Sequence, residues 1–279
     1  MKISMANGKY TIFKMTTIVF LITAIVALLV TYNLGTRIQR YFYGVKPGVT
    51  LEGIPMEKLL EKEVRIKVEK MASVMDRAPR NARYDRKRDK IVLELPGMKV
   101  DVNDTVAAVM SALQGEKVSL SVIRLEPEIT ADIFRSINTK ISAFSTSGGG
   151  SAGRTDNLYV SAKYMNGYIL APGEVFSFNG ATGPRTFARG YSMAPVVGGM
   201  GIGGGVCQTA TTIYNAARLA GMEIVERHPH SIKVGYVAPG RDATVTNYVD
   251  MKFRNSTDKF IQIRSGAGGG HVWAQIWSQ

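Results

Sequence analysis

The stretch that decides the fold is Gly203-Gly204-Gly205-Val206-Cys207-Gln208-Thr209-Ala210-Thr211-Thr212-Ile213-Tyr214-Asn215-Ala216-Ala217-Arg218-Leu219-Ala220-Gly221. Three glycines lead into a run in which Ile213, Ala216, Ala217 and Ala220 recur at helical spacing, and Gly221 stops it. A helix from Cys207 to Ala220 is predicted, with a thiol in its first turn. There the unpaired backbone N–H groups and the helix dipole stabilise a thiolate, and the glycines let a substrate backbone approach closely. Cys207 is the only cysteine of the 279 residues, which excludes an internal disulfide framework. The bland alternative is a small buried hydrophobe.

Downstream, Met222–Glu226, Ser231–Val237, Ala243–Lys252, Phe260–Arg264 and His271–Trp277 read as strands. The expected class is therefore α+β, with a helix-borne cysteine packed on an antiparallel sheet. Helix-borne cysteine followed by strand-borne histidine is the order used by papain-like and transglutaminase-like enzymes. His228 and His230 stand where the base is needed, and His271 lies near the C-terminus. The carboxylate that would orient the imidazole is Asp242 by eye. A hairpin turning at Pro239-Gly240 would instead set Asp242 about seven residues, or roughly 23 Å, from His230 and bring Asp250 across from it. That register favours Asp250.

Cys207, His228, His230 and an aspartate could ligate zinc, but the paired spacings of a zinc site are absent. Gly199-Met200-Gly201-Ile202-Gly203-Gly204 fits a dinucleotide-binding pattern, with Glu226 at the ribose position, yet no alternating βα pattern continues. No metal and no cofactor is expected.

Upstream, residues 15–36 carry no formal charge and are strongly apolar from Ile18 to Val30. As a helix, such a segment spans roughly 33 Å, enough to cross a bilayer core. Lys2, Lys9 and Lys14 precede it without an acidic residue, the asymmetry of a cytoplasmic N-terminus. The reading is a tail at 1–14, a transmembrane signal anchor at 15–36 and a stalk at 37–48, with the bulk of the chain outside the cell membrane. A cleaved signal peptide is the rival. A small α+β unit follows at 49–127: a helix from Pro55 to Val68, two strands around Asp85–Asp89, a helix capped by Asp104, and a strand from Lys117 to Leu125. Residues 128–153 read as a connecting helix from Ile129 to Ile141 and a Gly/Ser linker from Ser145 to Gly153, before a second α+β domain at 154–279.

The formal charge is +13, and Arg77 to Lys90 alone holds seven basic against two acidic residues. Nucleic acid is the habitual partner of such a balance, but an exported chain meets lipid headgroups and wall polymers instead. Arg86, Lys87 and Arg88 are candidate polyanion-binding residues; a solvated hairpin tip is the alternative.

The region from Asn157 to Ile263 resembles the VanW family. The resemblance rests on Pro172-Gly173-Glu174-Val175-Phe176-Ser177-Phe178-Asn179, Gly183-Pro184-Arg185-Thr186, Gly203 to Gln208, Tyr214-Asn215-Ala216-Ala217, Arg227 with His230-Ser231, and Gly240 to Val245. Asp250 and Asn255 complete it. Residues 49–125 look more loosely like the peptidoglycan-binding domain that often precedes that domain. The resemblance implies a bacterial envelope protein linked to glycopeptide-resistance clusters and puts His230, rather than His228, in the motif. It makes Gly204, Gly205, Gln208, Arg227 and Arg241 candidate substrate-binding residues around Cys207. Two functions stay open: a cysteine-dependent enzyme acting on stem-peptide amides of peptidoglycan, by hydrolysis or transpeptidation, and a non-enzymatic module that binds or scaffolds the wall.

Overall fold

A computed structural model describes residues 4–279, with the side chains of 4–19, 29, 30 and 33 outside the described residues. It is a mixed α+β structure with several sheets, and it divides into two compact units. The first comprises residues 1–79 and 96–126; the second comprises 80–95 and 127–279. The basic hairpin thus belongs to the second unit rather than with the rest of 49–127.

In the first unit a helix runs from Ser4 to Tyr43. Among the described residues no helix is long and apolar enough to cross a membrane. The expected span at 15–36 includes positions whose side chains lie outside the described residues. The stalk expected at 37–48 is tied down instead: Val45 is buried in the unit's core, and Arg40 binds the Glu63 carboxylate and the Lys58 carbonyl oxygen. Helices Glu61–Met75 and Val102–Ser111 pack around Val64, Val68, Val106 and Val109.

The first of these helices starts six residues later than its apolar spacing suggests. Ile54–Pro55 pairs as a strand with Thr50–Leu51, and the Glu63 side chain reaches back to the Leu60 amide at 2.9 Å to fix the start. The second is capped by Asp101, whose side chain accepts from Asp104 N at 2.9 Å, so Asp104 is inside the helix.

The second unit is built on a four-stranded antiparallel sheet in the order Thr139–Ser147, His271–Ser278, Ile261–Gly268, Tyr168–Leu170. The segment read as a linker contributes to the first of these strands. Ser145, Thr146 and Ser147 pair with Trp273, Val272 and His271, and Ser151 then caps the helix Ala152–Met165. The connecting helix shrinks to Ala131–Ser136. The sheet supports this capped helix and the cysteine helix, Val206–Leu219. Phe176, Phe178, Ile213, Met251 and Phe253 fill the core beside them.

The hairpin expected from Ser231 to Lys252 does not form. Only Lys252–Arg254 is a strand, between Val175–Ser177 and Glu223–Glu226. Pro229 and Pro239 have no N–H to give a ladder. The chain spends its hydrogen bonds on neighbouring side chains instead. Asn215 donates to the Arg241 carbonyl at 2.8 Å, Ala243 N donates to Thr211 Oγ1 at 2.9 Å, and Arg227 Nε donates to the Asp242 carbonyl at 2.7 Å.

Candidate active site

Gly205 enters the cysteine helix with φ of 103°, a left-handed conformation that glycine accepts without strain. A Cβ there would stand 2.8 Å from Arg154 Cγ, so the site needs glycine for space as well. Gly204 is buried against the Ala194 and Pro195 carbonyls, and its own carbonyl accepts from Asn157 at 3.0 Å. These glycines position the helix start and form part of the cleft floor.

The cleft over that helix end has a volume of about 1010 Å³. Cys207 and His230 both line it, and Cys207 is half-buried. The thiol donates to the Val245 carbonyl oxygen at 3.4 Å and interacts with the His230 imidazole. Burial opposes the thiolate, but the imidazole and the charge of Arg185 outweigh it, and the thiol lies below its ordinary pKa. The same contact raises His230, against burial and with help from Asp242.

Asp242, not Asp250, orients the imidazole. Its Oδ2 takes His230 Nδ1 at 2.8 Å and the His230 backbone N–H at 2.5 Å, and its Oδ1 takes Arg227 Nη2 at 3.0 Å. Burial resists its charge, yet the bonds from His230 and the Arg227 charge hold its pKa below the usual carboxylate value. The register argument for Asp250 fails because the hairpin it assumed is absent. Asp250 accepts from Ser177 Oγ at 2.5 Å and from the Asn179 and Met251 amides, pinning the loop before Lys252. His228 pairs with Glu226 at 3.2 Å, and His271 with Ser147 at 2.9 Å; neither lines the cleft.

The expected substrate-binding set divides. Gln208 is fully buried and does not reach out; its Oε1 accepts from Arg154 Nη2 at 2.8 Å and its Nε2 donates to the Gly270 carbonyl. Arg227 serves Asp242 from outside the cleft lining. The Arg241 side chain is exposed away from the lining. Three cleft residues escaped the sequence reading as site residues: Arg154, Arg185 and Tyr236, whose hydroxyl lies 3.5 Å from His230 Nε2. Arg185 stood inside a motif stretch and Tyr236 inside the Ser231–Val237 segment read as a strand; Arg154 gave no signal. Burial, with the nearby Cys207, raises the Tyr236 pKa, so its hydroxyl stays protonated.

The polyanion patch also changes. Arg86, though exposed, donates to the Asn166 carbonyl oxygen at 2.7 Å, while Arg88 projects outward beside Asp85. Among the described residues no group of three or more His, Cys, Asp or Glu side chains is arranged to hold a metal ion.

A thiol, an imidazole and a carboxylate thus stand in sequence at the mouth of a helix. Residues 153–277 match the family described as VanW like protein. The second unit carries a VanW-like domain. Residues 21–119 match a family described as "Putative peptidoglycan binding domain". Uncharacterized protein YoaR of Bacillus subtilis is 34% identical over 172 residues, covering 58% of this chain and 56% of that protein. Vancomycin B-type resistance protein VanW of Enterococcus faecalis is 31% identical over 118 residues, covering 38% of this chain and 42% of that protein. The chain thus spans about half the length of these curated relatives. No solved structure matches. In the VanW-like domain the thiol, the imidazole and the carboxylate bonded to it are all contributed by residues 207–242.

Proposed function

We propose that this is a cell-wall-associated protein whose VanW-like domain is a cysteine-dependent enzyme acting on amide bonds of peptidoglycan stem peptides. The observation that carries this reading is the Cys207–His230–Asp242 relay, with Asp242 2.8 Å from the far nitrogen of the imidazole. The wall as substrate is supported by the two matched domains and by the resemblance to the vancomycin-resistance relative.

In this reading the Cys207 thiolate attacks the amide carbon. The Cys207 backbone N–H, beside the sulfur in the first helical turn, receives the developing oxyanion. The His230 imidazolium gives its proton to the leaving amine as the C–N bond breaks, leaving a thioester. Water or a second amine, deprotonated by His230, then attacks the thioester and restores the thiol. Water gives hydrolysis; an amine gives transpeptidation.

An N-terminal anchor fits the same picture. Phe20, Leu21, Ile22, Ile25, Val26 and Leu28 all stand exposed on the Ser4–Tyr43 helix, and the apolar run to Val30 supports a single span with residues 37–279 outside the membrane. Fractionation of cells expressing the full chain tests this part: recovery in the soluble fraction without membrane would remove the anchor.

For the enzyme, wild type, Cys207→Ala and His230→Ala are compared on purified peptidoglycan, with thermal melting as the control for folding. The expected result is a changed muropeptide profile with wild type only. Unchanged profiles from a folded wild type would leave the alternative, a non-enzymatic wall-binding module.

A further inference from the structure

The permanently charged side chains lining the cleft around Cys207 are of one sign. Its lining includes the guanidinium groups of Arg154 and Arg185 and contains no carboxylate. Arg185 is occupied, donating to the Thr246 carbonyl oxygen at 3.1 Å and to Asn179 Oδ1 at 2.6 Å. Arg154 is aimed differently. Gln208, fully buried behind it, takes one guanidinium nitrogen, while Arg154 Nε is buried without a hydrogen-bond partner. A second buried polar atom without a partner, Thr244 Oγ1, belongs to another residue of the same lining. Buried donors are rarely left unmade, because each costs the desolvation of its group. Here a cation held in place by a buried amide meets a cleft lined by Val196, Ile202 and Ile232, with no acid of its own to neutralise it.

We propose that Arg154 is the specificity residue of this site, and that the substrate segment lying over Gly205 carries a carboxylate that Arg154 binds. This rests on Cys207 being the nucleophile. Gln208 is then a positioning residue, fixing the guanidinium fork for planar recognition of the carboxylate. Gly205 is the gap that permits it, since a Cβ there would meet Arg154 Cγ at 2.8 Å and Nη1 at 3.1 Å.

Two alkylating probes test the idea on the full chain: N-(iodoacetyl)glycine, which carries a carboxylate, and its neutral amide, N-(iodoacetyl)glycinamide. In both, the Cys207 sulfur displaces iodide. The ratio of the two rates reports charge recognition and cancels changes in thiol reactivity. The expected ratio favours the carboxylate probe about tenfold in wild type, falls toward one in Arg154→Gln and recovers in part in Arg154→Lys. Gln208→Leu is expected to lower the ratio as well. A reactive thiol with no preference in wild type, or a preference that survives in Arg154→Gln, overturns the assignment while leaving the cysteine reading intact. A thiol inert to both probes overturns both.

Discussion

Asp242 holds His230 twice, through the ring at Nδ1 and through the backbone N–H of the same residue, at 2.8 and 2.5 Å. One carboxylate therefore fixes both the position of the chain and the orientation of the imidazole, which makes its removal informative in two separate ways. Asp242→Asn keeps the shape but removes the charge that favours an imidazolium and the correct tautomer. Activity on wall substrate is expected to fall by up to roughly ten-thousandfold. Asp242→Ala also strands Arg227, and a loss of about 2–4 kcal/mol in stability is expected from thermal or urea unfolding. Because the folded carboxyl is held below its free value, this stabilisation is present above about pH 4 and is lost as pH falls through the folded pKa.

The thiol and imidazole are expected to titrate as a pair. Iodoacetamide alkylation of Cys207 should have its midpoint below that of a free thiol, since the His230 contact outweighs burial. In His230→Ala the desolvation remains and the imidazole is gone, so the midpoint should rise above that value. A midpoint unmoved by His230→Ala would show that the imidazole does not act on the sulfur.

Asp250 gives the contrasting case. Its bonds go to Ser177, Asn179 and Met251. Asp250→Ala is expected to lose about 1–3 kcal/mol of stability, while the alkylation midpoint of Cys207 stays where it is in wild type. A large upward shift of the midpoint in a folded Asp250→Ala protein would return that aspartate to the catalytic set.

Gly205→Ala combines backbone strain at φ 103° with a contact of 2.8 Å to Arg154. A loss of about 1–3 kcal/mol is expected from the backbone alone, read as a lower melting temperature. Gly221, at φ 73° with open space around it, should lose only the conformational part on replacement by alanine.

Within the basic hairpin, the two kinds of arginine should separate by readout. Arg86→Ala removes the bond to the Asn166 carbonyl and is expected to cost about 1–2 kcal/mol of stability. Reversing the outward charges at Lys87 and Arg88 should weaken binding to anionic wall polymers, by co-sedimentation, without moving the melting temperature.

The parts of this fold legible in the sequence were those whose partners are local or periodic. The cysteine helix announces itself through Ile213, Ala216, Ala217 and the glycines at both ends, and the last two strands through apolar alternation. The strand Thr139–Ser147 was hidden because most of it is exposed and polar; only Thr146 is buried, bound to Thr212 Oγ1 at 2.8 Å. The segment from His228 to Asp250 does not form the expected hairpin because its backbone is satisfied by the side chains of Thr211, Asn215 and Arg227, 32, 26 and 15 positions from their partners, which no local pattern reveals. For the same reason Asp242, set far from the histidine by a local hairpin register, sits on it. Arg154 lay beyond the reach of motif reading because its significance comes from Gln208, 54 positions later.

The interleaving of the two units has a practical corollary for dissecting the protein. Asn81 Oδ1 takes the amides of Glu128 and Ile129, Glu94 Oε2 takes the Ala131 amide, and Ala82, Tyr84 and Ile91 belong to the same apolar cluster as Phe134, Ile169 and Trp277. A fragment trimmed to the matched stretch 153–277 would discard both the hairpin and the edge strand Thr139–Ser147. It would leave an uncovered apolar seam beside His271–Ser278, now a bare sheet margin ready to pair with other copies. Insolubility of such a fragment would then report a severed sheet rather than an unstable domain.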